Sequence, residues 1–421
     1  MKVLSKPILN IANKLCKPYT EAFHNKRNQP PVFENSLTNM TSGSVWKLGS
    51  NKVGSDSVPE YLDKNYFPSL DGLRGIAILI VLFSHFGLNY YLKFIHCRID
   101  SRFGVDIFFV LSGFLITTGL LKQKLKRGRI FLSEFYKRRA LRTIPLVYLF
   151  LVLLVIVSLI YRPMSSKTDF LYSFLFLKNL PIANERFTAH LWTIAVEWQF
   201  YLAFPLLLYW LNIKRASVFI FGFVVLLPLL SIIYKYGNMQ GIFYPFDLLM
   251  KLINYSFWKG PTILLIGSAA AMLSFQGLIN VRRLNNHYFL SFFLFIAALL
   301  FNVKDLPLYQ RYISQYISAI LIALIILINL QSDNFFSRIL TSRVLIKIGV
   351  LSFSLYIWQQ LFIGYRFWAP GFQYLNHLPF NMVILIKFLL VFPLAYFSYR
   401  FYEKPFLKMK ARFNGIEDMK A

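Results

Sequence analysis

The stretch YFPSLDGLRGIAILIVLFSHFG, residues 66–87, places an arginine and a histidine in a run that is otherwise apolar enough to cross a bilayer. At about 3.6 residues per helical turn, Arg74 and His85 are about three turns apart, so both side chains lie on one helix face. Along the helix axis they are separated by roughly 16 Å. We therefore predict a membrane helix with a cation near one end and an imidazole toward the other.

The composition extends this prediction to most of the chain. Of 421 residues, 57% are hydrophobic and 44 are phenylalanine, a combination that ordinary soluble domains do not have. Apolar stretches of spanning length recur, so we predict an all-α fold, a polytopic transmembrane helical bundle of about ten spans. The predicted spans are 73–92, 103–121, 143–161, 190–211, 217–234, 260–275, 287–302, 312–330, 346–365 and 381–399.

The formal net charge of +28 would suggest nucleic-acid binding in a soluble protein. Here Lys and Arg stand at the ends of apolar runs, where membrane topology and anionic lipids account for them, so we predict no nucleic-acid partner. The segment 122–142 holds nine Lys or Arg and one Glu, which predicts a cytoplasmic position by the positive-inside rule. An even number of spans then leaves both termini cytoplasmic.

Polarity divides the chain into three parts. Residues 1–65 form a polar tail whose first residues place apolar side chains on one helical face, so a membrane-surface amphipathic helix and a disordered tail are alternatives. Residues 66–405 form the transmembrane domain. Residues 406–421 form a basic cytoplasmic tail.

Two carboxylates accompany His85 in the predicted membrane. Asp106 lies in the second predicted span and Glu197 in the fourth, and the predicted boundaries place both in the outer-leaflet layer of His85. A carboxylate partner holds an imidazole in one tautomer and prepares it to take a proton, so we predict His85, Asp106 and Glu197 as catalytic residues. The alternative is that His85 forms an interhelical hydrogen bond and that the carboxylates have structural partners.

Asp71 and Arg74 stand at the start of the first predicted helix. Asp71 is a residue type that favours the N-cap, where its carboxylate would accept from free amide hydrogens, so its role in a substrate site has a structural alternative. The helix dipole disfavours a cation at this end. Arg74 is therefore either a positive-inside signal or a functional cation.

Three arginines follow in YKRRALRTIP, residues 136–145, and Arg139 and Arg142 are three apart on one helical face beside Arg138. Guanidinium groups bind phosphates bidentately, so the cluster predicts a site for a polyphosphate ligand or a lipid headgroup, with a topology signal as the alternative. A cytoplasmic anion site and an outer-leaflet base together suggest that a phosphorylated donor enters from the cytoplasm and reacts near the far side.

Four stretches in this order resemble the acyltransferase-3 family of integral membrane acyltransferases, most familiar from bacterial O-acetylation of lipopolysaccharide and other surface glycans. They are LDGLRGIAILIVLFSH, GVDIFFVLSGFLI, YKRRALRTIP and HLWTIAVEWQFY. The resemblance runs from about residue 66 to 405. Because the sequence ends at Ala421, we expect a single-domain transferase without the periplasmic esterase-like domain that some members append.

The resemblance implies roles for individual residues. His85 would be the catalytic base and, with Arg74, the essential pair of the family. Arg74, Arg138, Arg139 and Arg142 would bind acyl-CoA, and Asp71, Ser112 and Trp192 would contact substrate. Trp192 could instead be an interface aromatic and Ser112 a small packing residue. Gln359 stands where many relatives have His, and the stretch GPTILLIG lacks the usual Arg and Asp, so we expect acceptor recognition to differ.

The predicted function is transfer of an acyl group, most simply acetyl, from cytoplasmic acyl-CoA to a hydroxyl of a glycan such as lipopolysaccharide O-antigen or exopolysaccharide. The expected setting is the bacterial inner membrane, with acyl-CoA as co-substrate, a glycan or lipid-linked glycan as acceptor, membrane lipids as surroundings, and no metal or other cofactor. One rival is a proton-coupled transporter of an anionic solute or lipid-linked intermediate, although the sequence shows no repeats or paired broken helices. A structural or lipid-scaffold protein is the other.

Overall fold

The computed structural model describes residues 57–160, 165–180, 187–236, 260–279, 287–309, 311–331, 333–363 and 373–411, with Pro245 and Met250. The helices are α1 (Pro68–His85), α2 (Asn89–Leu92), α3 (Ser101–Arg127), α4 (Leu132–Ile160), α5 (Lys167–Phe174), α6 (Trp192–Trp210), α7 (Ile213–Tyr236), α8 (Pro261–Phe275), α9 (Leu290–Leu300), α10 (Arg311–Ile328), α11 (Phe335–Leu340), α12 (Arg343–Val350), α13 (Ser352–Trp358), α14 (Phe380–Phe397) and α15 (Lys404–Ala411). A 3₁₀ turn, Ala189–Leu191, precedes α6, and another, Gln359–Phe362, follows α13.

The described residues form an all-α membrane bundle, as predicted. Six helical segments are long and apolar enough to cross a membrane, and α12 with α13 and its 3₁₀ turn forms a seventh that is bent by 54°. Nine of the ten predicted spans each fall mainly on one described helix, and the ninth in chain order, 346–365, falls on α12, α13 and the 3₁₀ turn. The apolar parts of α8, α9 and α10 are shorter than a full span. The count of ten spans and the cytoplasmic termini stay predictions.

Several helix boundaries differ from the predicted ones, most of all those of α1 and α4. The first span was expected over 73–92, but α1 begins at Pro68, the favoured first-turn residue, and ends at His85 before a turn in which Gly87 has φ 101°. The third was expected from residue 143, but α4 begins at Leu132. The basic segment 122–142 is therefore mostly helical, and its last arginines lie seven and ten residues inside α4 rather than at its start.

Described segments also flank the predicted transmembrane domain, whose bounds stay a prediction. Residues 58–64 pack on the bundle: Leu62 is fully buried, and Asp63 pairs with Lys126 of α3 at 2.6 Å. The first 56 residues, including the predicted amphipathic helix, lie outside the described residues. At the other end, α15 occupies the beginning of the predicted C-terminal tail, and residues 412–421 lie outside the described part.

Glycines let α3 and α8 approach until their backbones touch. A Cβ atom on Gly113 would lie 1.9 Å from the Leu264 carbonyl oxygen, and one on Gly267 would lie 2.1 Å from the Val110 carbonyl oxygen. In lipid, apolar side chains gain little by leaving the solvent, so close backbone packing of this kind drives helix association. The contact sets the position of Ser112, which precedes Gly113 on α3.

Close backbone contact at glycines also joins α1 to α12. A Cβ atom on Gly349 would lie 1.8 Å from the Asp71 carbonyl oxygen, and one on Gly75 would lie 2.4 Å from the Leu345 carbonyl oxygen. Both contacts flank Arg74 in the chain. The position of the Arg74 side chain therefore depends on the packing of two backbones.

We expect Gly113→Ala to lower the free energy of unfolding by about 1–3 kcal/mol, because overpacking forces the α3 and α8 backbones apart. Gly119 is the matched control on the same helix, since a Cβ atom there would meet nothing within 4 Å. Gly119→Ala should leave stability unchanged or raise it by up to about 1 kcal/mol, because alanine is the better helix former. Unfolding in mixed micelles measures both, and equal losses would contradict the close-packing account.

An ion pair with several hydrogen bonds joins the loop before α3 to the loop between α9 and α10. Arg98 donates to both Asp305 carboxylate oxygens through Nε, and its backbone N–H donates to Oδ2 at 2.8 Å. An isolated antiparallel bridge between Ile99 and Val303 lies beside this pair. Hydrogen bonds from the Arg98 side chain and backbone hold the pKa of the Asp305 carboxyl at about 2, below its usual range.

Asp305→Asn should therefore lower the melting temperature in detergent at neutral pH, since the ionised carboxylate is stabilised in the folded state. A lowered folded-state pKa contributes stability above the unfolded pKa, and this contribution is lost as the pH falls toward 2. The difference between wild type and variant should be largest at neutral pH and shrink below pH about 4. A difference that stays constant with pH would show that Asp305 acts without its charge.

Candidate active site

A cavity lies between α1, α3, α4, α6 and α13, and its empty volume is about 740 Å³ when the open space at its mouth is included. It lies next to the two glycine contacts, so close helix packing fixes its walls. Its polar lining residues are Arg74, Ser112, Arg139, Arg142, Thr143, Thr193, Glu197, Tyr201, Ser352 and Tyr356. Its apolar lining residues are Val105, Phe108, Phe109, Leu115, Ile116, Ile194 and Phe353.

Three guanidinium groups line this cavity. Arg74 donates to Asp71 Oδ1 at 2.7 Å, which balances one of the charges. The Arg139 guanidinium lies over the Tyr201 ring, 5.3 Å from its centroid. Within the described part of the chain, neither Arg139 nor Arg142 forms an ion pair with a carboxylate. An intramembrane cavity with this excess of positive charge is suited to an anionic ligand.

Glu197 is the carboxylate that lines the same cavity, and two hydroxyl groups hold it in place. Ser112 Oγ donates to Oε1 at 2.9 Å, and the Tyr201 hydroxyl donates to Oε2 at 2.8 Å. Oε1 thus accepts a hydrogen bond from α3, and Oε2 accepts one from the next turn of α6. This arrangement fixes the carboxylate and makes it the nearest proton acceptor for either hydroxyl group.

His85 lies at the last residue of α1 and does not line the cavity. Its Nδ1 is 3.0 Å from Oε1 of Gln359, in the 3₁₀ turn after α13. The ring is close enough to His190 for their charges to interact. His190 connects this region to the cavity, because its carbonyl oxygen accepts from the hydroxyl of the lining residue Tyr356 at 3.0 Å.

The structure does not bring His85 together with either predicted carboxylate partner. Glu197 binds Ser112 and Tyr201, as above, and so belongs with the arginines. Asp106 is fully buried and has Arg102 as an ion-pair partner, with Nε at 3.9 Å. Asp106 follows the lining residue Val105 by one position, which turns its side chain about 100° around α3, away from the cavity. The structure thus shows no contact between His85 and either carboxylate, and the shared depth and catalytic roles of the three groups stay predictions.

Asp71 is not the N-cap of α1. The helix begins at Pro68 with Phe67 at the cap position, so Asp71 lies in the first turn, where its carboxylate pairs with Arg74. The N-cap interpretation is wrong, because the helix begins three residues before this position. Asp71 orients the guanidinium of Arg74 instead.

Arg138 and Trp192 also lie outside the cavity. Arg138 pairs with Glu134 at 3.6 Å, one turn earlier on α4. Trp192 begins α6 beneath the guanidinium of Arg102, which is 5.3 Å from its ring centroid. The other predicted binding residues, Arg74, Arg139, Arg142 and Ser112, line the cavity together.

Sequence reasoning missed five polar lining residues, which are Thr143, Thr193, Tyr201, Ser352 and Tyr356. Tyr201 follows Glu197 by four positions, which places both on one helix face, so the spacing could have indicated it. Thr193 lies one turn before Glu197 on the same face and could have been found in the same way. Tyr356 has no such signal, because its contact with His190 joins residues 166 positions apart.

The residues 67–400 match the model of the acyltransferase-3 family, described as an acyltransferase domain, so the chain belongs to this family. The predicted resemblance is thereby confirmed. Relatives include O-acetyltransferase OatA of Staphylococcus aureus strains NCTC 8325 / PS 47, COL and MRSA252, each 28% identical over 369 residues. The match covers 82% of this chain and 57% of each relative, so the chain spans little more than half of their length. No solved structure matches this chain.

Proposed function

We propose that the protein is a membrane O-acetyltransferase that moves an acetyl group from cytoplasmic acyl-CoA to a hydroxyl of a cell-surface glycan. The observation that carries this proposal is the arginine-lined cavity inside the bundle. His190 lies between this cavity and His85, and its carbonyl oxygen accepts a hydrogen bond from Tyr356 of the cavity wall. Membership of the acyltransferase-3 family and the O-acetyltransferase relatives support it. The setting is the bacterial inner membrane, with a glycan or lipid-linked glycan as acceptor.

The donor's phosphates bind the arginines of α4 in this proposal. Coenzyme A carries several phosphate charges, and Arg139 and Arg142 have no competing carboxylate partner among the described residues. Arg74 adds a third guanidinium, oriented by Asp71. Along α1, Arg74 and His85 are separated by roughly 16 Å, a distance that a linear pantetheine arm can bridge. The thioester then lies near His85.

His85 acts as the general base in the transfer step. Its free ring nitrogen accepts the proton of the acceptor hydroxyl as that oxygen attacks the thioester carbonyl. The C–S bond then breaks, the acyl group stays on the acceptor oxygen, and the imidazolium returns its proton to the leaving thiolate. Holding donor and acceptor in one site supplies a further part of the rate.

The hydrogen bond between Ser112 and Glu197 favours a covalent route as a second candidate. Ser112 Oγ would attack the thioester while Glu197 takes its proton, and the thiolate of coenzyme A would leave. The acyl-serine would then be resolved by the acceptor hydroxyl. Ser112→Ala separates the two routes, because it abolishes transfer only if the acyl group passes through Oγ.

His85→Ala should lower the rate of acetyl transfer by about 10²–10⁴-fold, the usual contribution of a general base. The measurement is transfer of labelled acetyl from acetyl-CoA to glycan in membranes with matched amounts of protein. Matched amounts are needed because the variant also leaves Oε1 of the buried Gln359 without its hydrogen-bond partner, which should lower the melting temperature. Full activity of the variant would remove His85 from the mechanism.

The double variant Arg139→Ala with Arg142→Ala should raise the apparent KM for acetyl-CoA by about tenfold or more, because each charge-assisted hydrogen bond is worth about 1.5–3 kcal/mol. Arg138→Ala is the matched comparison, since it removes the same charge from the same helix at a residue that pairs with Glu134. It should change the KM by less than about twofold, as a surface ion pair would. Equal effects would move the donor site away from the cavity.

One experiment distinguishes this function from transport. Proteoliposomes that contain the protein receive labelled acetyl-CoA on one side and glycan acceptor on the other, and both acetylated glycan and free coenzyme A are measured. An acetyltransferase produces the two products in equal amounts. Movement of solute with all acetyl-CoA still esterified would identify a transporter and contradict the proposal. Mass spectrometry of surface polysaccharide from cells with and without the protein would then identify the acceptor.

A further inference from the structure

Gln359 makes a long-range contact with His85 that neither carboxylate makes. Its side chain is fully buried in the 3₁₀ turn after α13, and Oε1 lies 3.0 Å from Nδ1 of His85. The two residues are 274 positions apart in the chain. The contact therefore depends on the packing of α13 against α1.

The bundle holds the backbone near Gln359 at two points. Tyr356 donates its hydroxyl hydrogen to the His190 carbonyl at 3.0 Å and accepts from Thr193 Oγ1 at 2.8 Å. Trp358 packs edge-on against Phe150, with ring centroids 5.9 Å apart. Because these anchors immediately precede Gln359, its amide has a fixed position relative to the end of α1.

The chemistry of the amide decides which nitrogen of His85 carries the hydrogen. A carbonyl oxygen accepts hydrogen bonds and donates none, so the hydrogen between Oε1 and Nδ1 belongs to the imidazole. A neutral imidazole has one N–H, which leaves the lone pair on Nε2. The nitrogen on the far side of the ring from Gln359 is therefore the one that can accept a proton.

We propose that Gln359 is a positioning residue, which holds His85 in the tautomer with hydrogen on Nδ1 and presents Nε2 to the acceptor hydroxyl. The transfer step rests on the proposed function, whereas the tautomer does not. A carboxylate usually fills this place beside a catalytic histidine. A neutral amide orients the ring in the same way but adds no negative charge to stabilise its protonated form.

Several charged groups face His85 from the elements around it, and they act on its protonation in wild type and variants alike. Asp100, at the N-cap of α3, and His190 interact with it electrostatically. α14 contacts the end of α1 through Phe388 and carries the buried Lys387. The start of α3 also carries Arg102 and Asp106, which pair with each other.

Two substitutions of Gln359 test the proposal in the full-length protein in proteoliposomes. Gln359→Glu keeps the size and the acceptor oxygen but adds a negative charge, which favours the protonated imidazole. The acidic limb of the activity–pH profile should move to higher pH, while the KM for acetyl-CoA stays unchanged. Gln359→Leu removes the acceptor and should lower kcat by about tenfold or more, a part of the 10²–10⁴ that a general base contributes.

Asn381→Asp is the matched control. It makes the same amide-to-acid change at an exposed residue of α14, and its pH profile should coincide with that of wild type. Nitrogen NMR of protein labelled in histidine, assigned with His85→Ala, reads the tautomer without any activity. In wild type and Gln359→Glu, Nδ1 of His85 should be the protonated nitrogen, and Gln359→Leu should shift the tautomer population.

The results separate the two levels of the proposal. A wild-type spectrum with the hydrogen on Nε2, a Gln359→Leu variant with wild-type tautomer and kcat, or a Gln359→Glu variant with an unshifted pH profile would each overturn the role of Gln359. If Gln359→Leu does not accumulate, the nearly isosteric Gln359→Glu variant decides. Absence of acetyl transfer by wild type, with the expected spectra, would overturn the proposed function and leave the tautomer assignment standing.

Discussion

The structure depends on backbone contact between helices at glycine. In a lipid environment a helix gains little from burying apolar side chains, so small residues that permit close approach determine which helices pair. Gly113 and Gly267 join α3 to α8, and Gly75 and Gly349 join α1 to α12. The first contact sets the position of Ser112 and the second sets that of Arg74, because each residue is the immediate chain neighbour of a contacting glycine. The cavity thus has its walls fixed by contacts that involve no charged side chain.

Charge is placed in this cavity at a cost that the fold only partly offsets. An arginine near the centre of a membrane helix costs about 2.5–3.5 kcal/mol on insertion scales. Asp71 compensates Arg74, but the described residues supply no carboxylate partner at ion-pair distance for Arg139 or Arg142. Glu197 is instead engaged by the hydroxyl groups of Ser112 and Tyr201. A ligand that carries negative charge would complete the balance, as the phosphorylated donor of the proposed function would.

The two polar centres have different characters. The cavity has an excess of positive charge, whereas His85 lies at a helix end with a neutral amide as its ring partner. The segment before α6 lies beside the cavity, because the His190 carbonyl accepts from Tyr356 of the cavity wall. This arrangement separates the binding of anionic groups from proton transfer. Such a division suits a reaction whose donor is highly charged at one end and reactive at the other.

The sequence alone determined the fold class, because apolar runs long enough to span a membrane can be recognised without knowledge of tertiary contacts. Every predicted span overlaps described helices. The sequence also indicated Arg74, Arg139, Arg142, Ser112 and Glu197, since charged and polar groups inside such runs stand out against an apolar background. The sequence did not determine which face of a helix a side chain lies on or how deep in the bundle it lies, because these depend on where the helix begins and what packs on it. The start of α4 at Leu132 moved the arginines into the bundle, and one residue of helix phase separated Asp106 from the cavity. Only the tertiary structure paired Glu197 with Ser112 and His85 with Gln359, since each of these hydrogen bonds joins residues far apart in the chain.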